Sequence, residues 1–128
     1  MALLLDTHAF LWWVEDAPQL SERARTAIGQ PDQACFVSLA SCWEIAIKAS
    51  LGKLTLATSL ERFVSEQMAI NGFQPLAITL AHVARVAALP FHHRDPFDRL
   101  LAAQAMDQDL TVVSADQIFE KYGVRREW

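Results

Sequence analysis

Residues 2–16 read ALLLDTHAFLWWVED, and the architecture follows from three features of that stretch. Ala2 to Leu5 is apolar at every position, the pattern of a central parallel strand buried on both faces rather than of a half-exposed strand that alternates. Asp6 ends the run with a charge. From Thr7 the composition is helical, with Asp6 or Thr7 available as cap and Pro18 closing the segment. A buried strand, a polar residue at its exit and a helix directly behind it make the first half of a βαβ unit.

The same alternation continues downstream. Ser21 caps a helix over SERARTAI, and Ala34 to Ser38 (ACFVS) is β-rich and strand-length. Residues 39 to about 51 are helical, with Gly52 marking the end. SLERFVSEQMAI is an amphipathic helix stopped by Asn71-Gly72. FQPLAI reads as a short strand that Pro75 sends to a sheet edge. TLAHVARVAAL is helical up to Pro90, PFHHRD is a loop, and Pro96 occupies the first turn of the helix PFDRLLAAQAMDQ. LTVV is a buried strand, DQIFEKY a helix, and GVRREW a last short strand. Strands alternating with helices imply an α/β fold, a parallel sheet covered on both faces.

At 128 residues the chain is long enough for one real core and too short for two, so residues 1–128 are expected to form a single domain. With 52% apolar and 20% charged residues it is globular rather than disordered. A net charge of −4 argues against broad non-specific nucleic-acid binding and leaves room for a local basic rim. Cys35 and Cys42 have no metal-ligand spacing and read as buried free thiols of a reducing compartment. No apolar run is long enough to cross a bilayer, and MALLLD meets a carboxylate too early for a signal peptide. A soluble cytoplasmic protein with no membrane association is expected.

Four acids stand just after a strand-like run or in the helical turn behind it: Asp6, Glu44, Asp98 and Asp116. In a parallel α/β sheet these positions share the carboxyl edge, where such folds place ligands. Each has a plain alternative as a helix cap. Asp6 precedes a helix, Glu44 follows Ser41 at capping-box spacing, Asp98 sits in a first turn, and Asp116 precedes a helix. Independent caps would fall at either edge of the sheet, whereas these four share one. Converging carboxylates repel unless a cation sits among them, and hard divalent cations take oxygen ligands. A metal-dependent reaction at a phosphate is therefore the leading reading. Asp95 is closer to a cap than a ligand.

LLLDTH, SLASCWEIAIKASLGKL, HRDPFDRLLAAQA and VVSADQIFEKYGV, in this order, resemble the PIN-domain nucleases, and within them the VapC-type toxins of bacterial toxin–antitoxin pairs. The resemblance runs over nearly the whole length. It implies a PIN-like three-layer α/β/α sandwich with a central, mostly parallel twisted sheet. It implies an endoribonuclease dependent on Mg2+ or Mn2+, with an RNA substrate, a cognate VapB-like antitoxin and a homodimer. The family's metal-site acids carry over onto Asp6, Glu44, Asp98 and Asp116 as metal ligands and catalytic residues. Asp6 and Asp98 rank as the most direct ligands, and no acidic position is lost.

Thr7, Lys48, Arg99 and Ser114 border these acids and are candidate substrate contacts, each weighed against a local structural role. Lys53, Arg94, Arg125 and Arg126 are candidates for a basic rim. His92-His93 does not read as a metal pair, because adjacent loop histidines rarely reach one ion and no third nitrogen or sulfur ligand is suitably spaced. His8 reads as packing or a rim contact. Trp12 and Trp13 either pack internally or leave one ring in an exposed groove suited to a partner. A non-catalytic RNA- or protein-binding module is the main alternative, and a metal-dependent phosphatase a weaker one, because Asp6-Thr7-His8 lacks the second carboxylate of a D-x-D start.

Overall fold

A computed structural model describes residues 2–128. Five short strands form one sheet: β1 (Leu3–Leu5), β2 (Cys35–Ser38), β3 (Gln74–Leu76), β4 (Thr111–Val113) and β5 (Arg126–Glu127). Their order is β3-β2-β1-β4-β5, and every adjacent pair is parallel. The sheet is thus wholly parallel where a mostly parallel one was expected. Pro75 does lie in an edge strand, where its missing N–H costs no ladder bond.

Seven helices connect and cover the strands: α1 (Thr7–Glu15), α2 (Glu22–Ile28), α3 (Leu39–Ser50), α4 (Leu60–Asn71), α5 (Leu80–Ala88), α6 (Pro96–Gln108) and α7 (Ile118–Lys121). The pleat of β1 divides the core. Leu3 and Leu5 pack with Phe10, Ala24, Val37, Ile45 and Phe73 on one face. Leu4 packs with Val112, Leu101, Ala102, Leu110 and Phe119 on the other. All three leucines are fully buried, as the uninterrupted apolar run requires of a central strand.

Helix starts follow their side-chain caps. Ser21, Ser38, Ser59 and Thr79 each accept a hydrogen bond from a backbone N–H in the first turn that follows. Of the two caps the sequence offers for α1, Asp6 serves and Thr7 is already helical. One expectation needs correction. Ser38 rather than Ser41 caps α3, so the Ser41–Glu44 capping box does not form, and Glu44 sits one turn inside the helix. Trp12 and Trp13 both pack internally, Trp12 against Trp128 and Trp13 against Phe73 with its indole N–H donated to Asn71. Cys35 and Cys42 are buried and free, and burial pushes the Cys35 thiol up to about 11. No helix among the described residues is long and apolar enough to cross a membrane.

Candidate active site

Strand order reverses between β1 and β4: one run of strands leads outward to β3, the other to β5. The crevice at such a switch point, beyond the carboxyl ends of the strands, is where open parallel sheets hold ligands. Here it is a cleft of about 170 Å3 lined by Asp6, Thr7, His8, Glu44, Asp95, Asp98 and Asp116. All four acids expected at this edge are therefore brought together, from the exits of β1 and β4 and from the N-terminal halves of α3 and α6.

Asp6, Asp95 and Asp116 are stiffened by local backbone hydrogen bonds. The Asp6 carboxylate accepts from the Ala9 amide at 2.7 Å as the cap of α1. Asp116 accepts from the Ile118 amide at 2.9 Å, while its own amide donates to the Ser114 hydroxyl at 3.0 Å. Asp95 caps α6 by accepting from the amides of Phe97 and Asp98, so its cap role is real. Asp98 then sits in the first turn of α6, behind Pro96. Capping and facing the cleft are compatible, since a carboxylate bound through one oxygen keeps lone pairs for another partner.

The charges are arranged unevenly. Glu44 is neutralised: Lys48 reaches it at 2.9 Å from one helical turn on, and the Thr7 hydroxyl donates to it at 2.7 Å. Among the described residues, neither Lys nor Arg pairs with Asp6, Asp98 or Asp116. Asp98 carries the consequence. Burial first, and then the negative charges of Asp95, Asp6, Asp116 and Glu44, push its pKa up to about 7. Asp6 is also raised, chiefly by burial, with the Ser114 hydroxyl, the Ala9 amide and His8 pulling the other way.

Of the four candidate substrate contacts, Thr7 lines the cleft and Lys48 the groove, while Arg99 and Ser114 are buried, and all four take up local structural roles. Arg99 is buried and faces away from the cleft, donating to the carbonyls of Pro90, Val86 and Leu89 and to the Tyr122 hydroxyl beneath the Phe91 ring. It clamps the loop ahead of α6. Ser114 is fully buried and braces Asp6 and Asp116. Thr7 is buried against Glu44, and Lys48 is held by the same carboxylate. Donors beside half-buried acids are consumed in satisfying them, which linear spacing does not reveal. Arg125 pairs with Asp109 and bonds Thr111, at the opposite end of β4, and Arg126 pairs with Glu120.

A groove of about 570 Å3 opens beside the cleft and shares Glu44 and Asp95 with it. Its lining includes Lys48, Lys53, Arg94 and Phe97. Lys53 and Arg94 have no ion-pair or hydrogen-bonded side-chain partner among the described residues. Trp43, whose ring meets the edge of Phe97 at 5.3 Å, is 59% exposed. The rim role expected of Lys53 and Arg94 fits this placement. Trp43 and Phe97 escape a linear reading; the one signal for them is a large aromatic next to an acid that faces the cleft, at positions 43 and 97 alike.

The PIN domain matches residues 3–124. The chain belongs to the PIN-domain family. Among curated relatives, Ribonuclease VapC22 of Mycobacterium tuberculosis (strain ATCC 25618 / H37Rv) is 30% identical over 116 residues, covering 90% of this chain and 87% of that protein. Solved structures share the PIN-like fold at low identity. VapBC2 from Rickettsia felis, bound to a DNA fragment from its promoter, aligns with a TM-score of 0.70 and 12% identity over 98% of this chain and 97% of its own. The DNA-bound VapBC from Salmonella typhimurium aligns with a TM-score of 0.66 and 18% identity, over 98% and 96%.

A PIN-type site invites a test of fit to a divalent cation. Among the described residues no three His, Cys, Asp or Glu side chains form a ready-made cage; the carboxylates line the cleft rather than meet at a point. The donor chemistry nevertheless suits a hard ion. The lining offers carboxylate oxygens beside the His8 ring. Asp6, Asp98 and Asp116 lack a Lys or Arg partner among the described residues, and burial first and then the neighbouring negative charges raise Asp98. Mg2+ keeps several of its waters and binds through one or two carboxylates, so a cleft wider than a closed cage fits it.

Proposed function

We propose that this chain is a single-domain, metal-dependent endoribonuclease acting as the toxin of a toxin–antitoxin pair. The observation that carries the reading is the trio Asp6, Asp98 and Asp116, converging without a neutralising cation at the switch point of a parallel sheet. These three would hold Mg2+ or Mn2+. When bound, such an ion lowers the pKa of water, polarises a scissile phosphate and steadies the departing oxygen. Thr7 and Lys48 hold Glu44 at the cleft wall, as a supporting acid rather than a principal ligand.

Substrate binding would fall to the groove. Lys53 and Arg94 supply charge for a phosphate backbone, and the exposed Trp43 face offers a stacking surface for an unpaired base. Discrete cations beside an acidic cleft reconcile an overall charge of −4 with a polyanionic substrate. Kinship with a named ribonuclease and with toxin–antitoxin complexes supports both the RNA substrate and a VapB-like antitoxin. A homodimer is favoured by the apolar surface at Leu80, Val83 and Phe91, which are 84%, 51% and 81% exposed.

The test is cleavage of total RNA by the purified chain with Mg2+ and with excess EDTA, wild type beside Asp6→Asn. Fragments should accumulate only for wild type with metal. Undiminished cleavage in EDTA, or by Asp6→Asn, would overturn the assignment.

A further inference from the structure

Behind Asp98 runs a chain of polar contacts that ends at the cleft. Arg99 Nη1 donates to the Tyr122 hydroxyl at 3.2 Å and to the Pro90 carbonyl at 2.8 Å. A guanidinium has donors only, so the Tyr122 oxygen accepts. That same hydroxyl lies 2.8 Å from His93 Nδ1. Among the described residues it has no other acceptor for its own proton, which therefore points to Nδ1. With Nδ1 accepting, the neutral His93 ring carries its proton on Nε2.

That nitrogen is buried, has no hydrogen-bond partner, and lies 3.6 Å from Asp98 Oδ2. The separation exceeds a formed hydrogen bond, yet Asp98 is the acceptor within ion-pair range. Both histidine rings pack on Tyr122, His92 edge-on at 4.8 Å and His93 tilted at 5.5 Å. The tyrosine ring is thus packed from two sides. Arg99 is fixed in turn by three carbonyls at the end of α5 and in the loop that follows. Such a relay has little use in a loop that merely needs anchoring, because Arg99 anchors it already.

We propose that His93 is a positioning residue for Asp98: the Arg99–Tyr122 pair fixes its tautomer, and its Nε2–H holds the carboxylate in the orientation it presents to the cleft. The inference rests on the reading of Asp98 as an acid that holds a metal ion. Outer partners that orient a ligating carboxylate typically contribute about 10–100-fold to metal affinity. In this role His93 would donate to the acid and would not itself be a ligand.

Two measurements on the full chain test it. Long-range 1H–15N NMR of the metal-free protein should show His93 protonated on Nε2, and Tyr122→Phe should abolish that single-tautomer signature. Calorimetric titration with Mn2+, without RNA, should show affinity falling about 10–100-fold in His93→Ala. His93→Gln, whose amide N–H2 occupies the Nε2 position, should recover most of that loss. Thermal melts accompany each variant, and the tautomer measurement stands on wild type if His93→Ala does not fold. A proton on Nδ1 in wild type, affinity within about twofold of wild type in His93→Ala, or a glutamine variant no better than alanine would overturn the proposal. So would a wild-type chain that binds no Mn2+. Because these readouts need no RNA, they separate from failure of the ribonuclease reading, which Asp6→Asn with full cleavage would bring.

Discussion

The cleft and the groove beside it share two residues and are opposite in character. In the cleft, carboxylates gather with too little counter-charge, and burial together with the neighbouring negative charges drives Asp98 up to about 7. In the groove, Lys53 and Arg94 stand without partners near the half-buried Phe97, against which the exposed Trp43 packs. Glu44 lies on the boundary and belongs to neither class, since Lys48 has already neutralised it. The contrast marks a division of labour. Residues whose charge is penalised by burial are the ones suited to an ion that offsets the penalty, and residues left solvated are the ones suited to a long, mobile polyanion.

Removing charge from the cleft should have the largest effect. Asp98→Asn should lower Mg2+-dependent RNA cleavage by more than about 100-fold with an unchanged circular dichroism spectrum. Activity within about tenfold of wild type would mean that the convergence of acids is only a packing accident.

A second, smaller effect concerns stability without metal. Asp98 has a folded pKa of about 7, above its unfolded value of 3.8, so between those values the folded state binds more protons than the unfolded one. Its contribution to stability is fully present below pH 3.8 and is lost as pH rises through about 7. Asp6 is raised too and acts in the same sense. The Asp98 share is on the order of 2 kcal/mol, discounted because its side chain remains 21% exposed. Urea unfolding of the metal-free protein at about pH 4 and about pH 8 checks it. Asp98→Asn and saturating Mg2+ should each flatten the difference, and a wild type more stable at the alkaline end would contradict the picture.

The groove should give the mildest response. Lys53→Ala with Arg94→Ala should weaken RNA binding about tenfold near physiological salt, and should reduce the salt slope by about one for each phosphate these two cations neutralise. The change should appear in KM with kcat nearly unchanged. A fall in kcat alone would draw these cations into the chemistry and blur the boundary between the two regions.

Much of this arrangement is legible in the linear chain. The apolar run before Asp6, the serine and threonine caps, Pro96 and the turn at Asn71-Gly72 act within a few residues, so pattern reading locates them. The four acids are legible as a set because the α/β alternation assigns each to one edge of the sheet. Arg99 misleads for the complementary reason. Its neighbour Asp98 faces the cleft, and one step along a helix turns the next side chain by about 100°, here into contact with Val86, Leu89 and Tyr122. His93 does not read as a metal ligand, and its place beside Asp98 depends on Tyr122, 29 residues later.

Local periodicity and capping set which way each element runs. They were therefore enough to establish the parallel α/β architecture, the edge that carries the acids and the identity of those acids. Which charges meet was settled only when the elements packed. Lys48 and Thr7 take up Glu44, while Asp6, Asp98 and Asp116 are left without a cationic partner. That outcome depends on distances of a few ångströms between side chains far apart in the chain, and on burial that penalises the charges of Asp6 and Asp98.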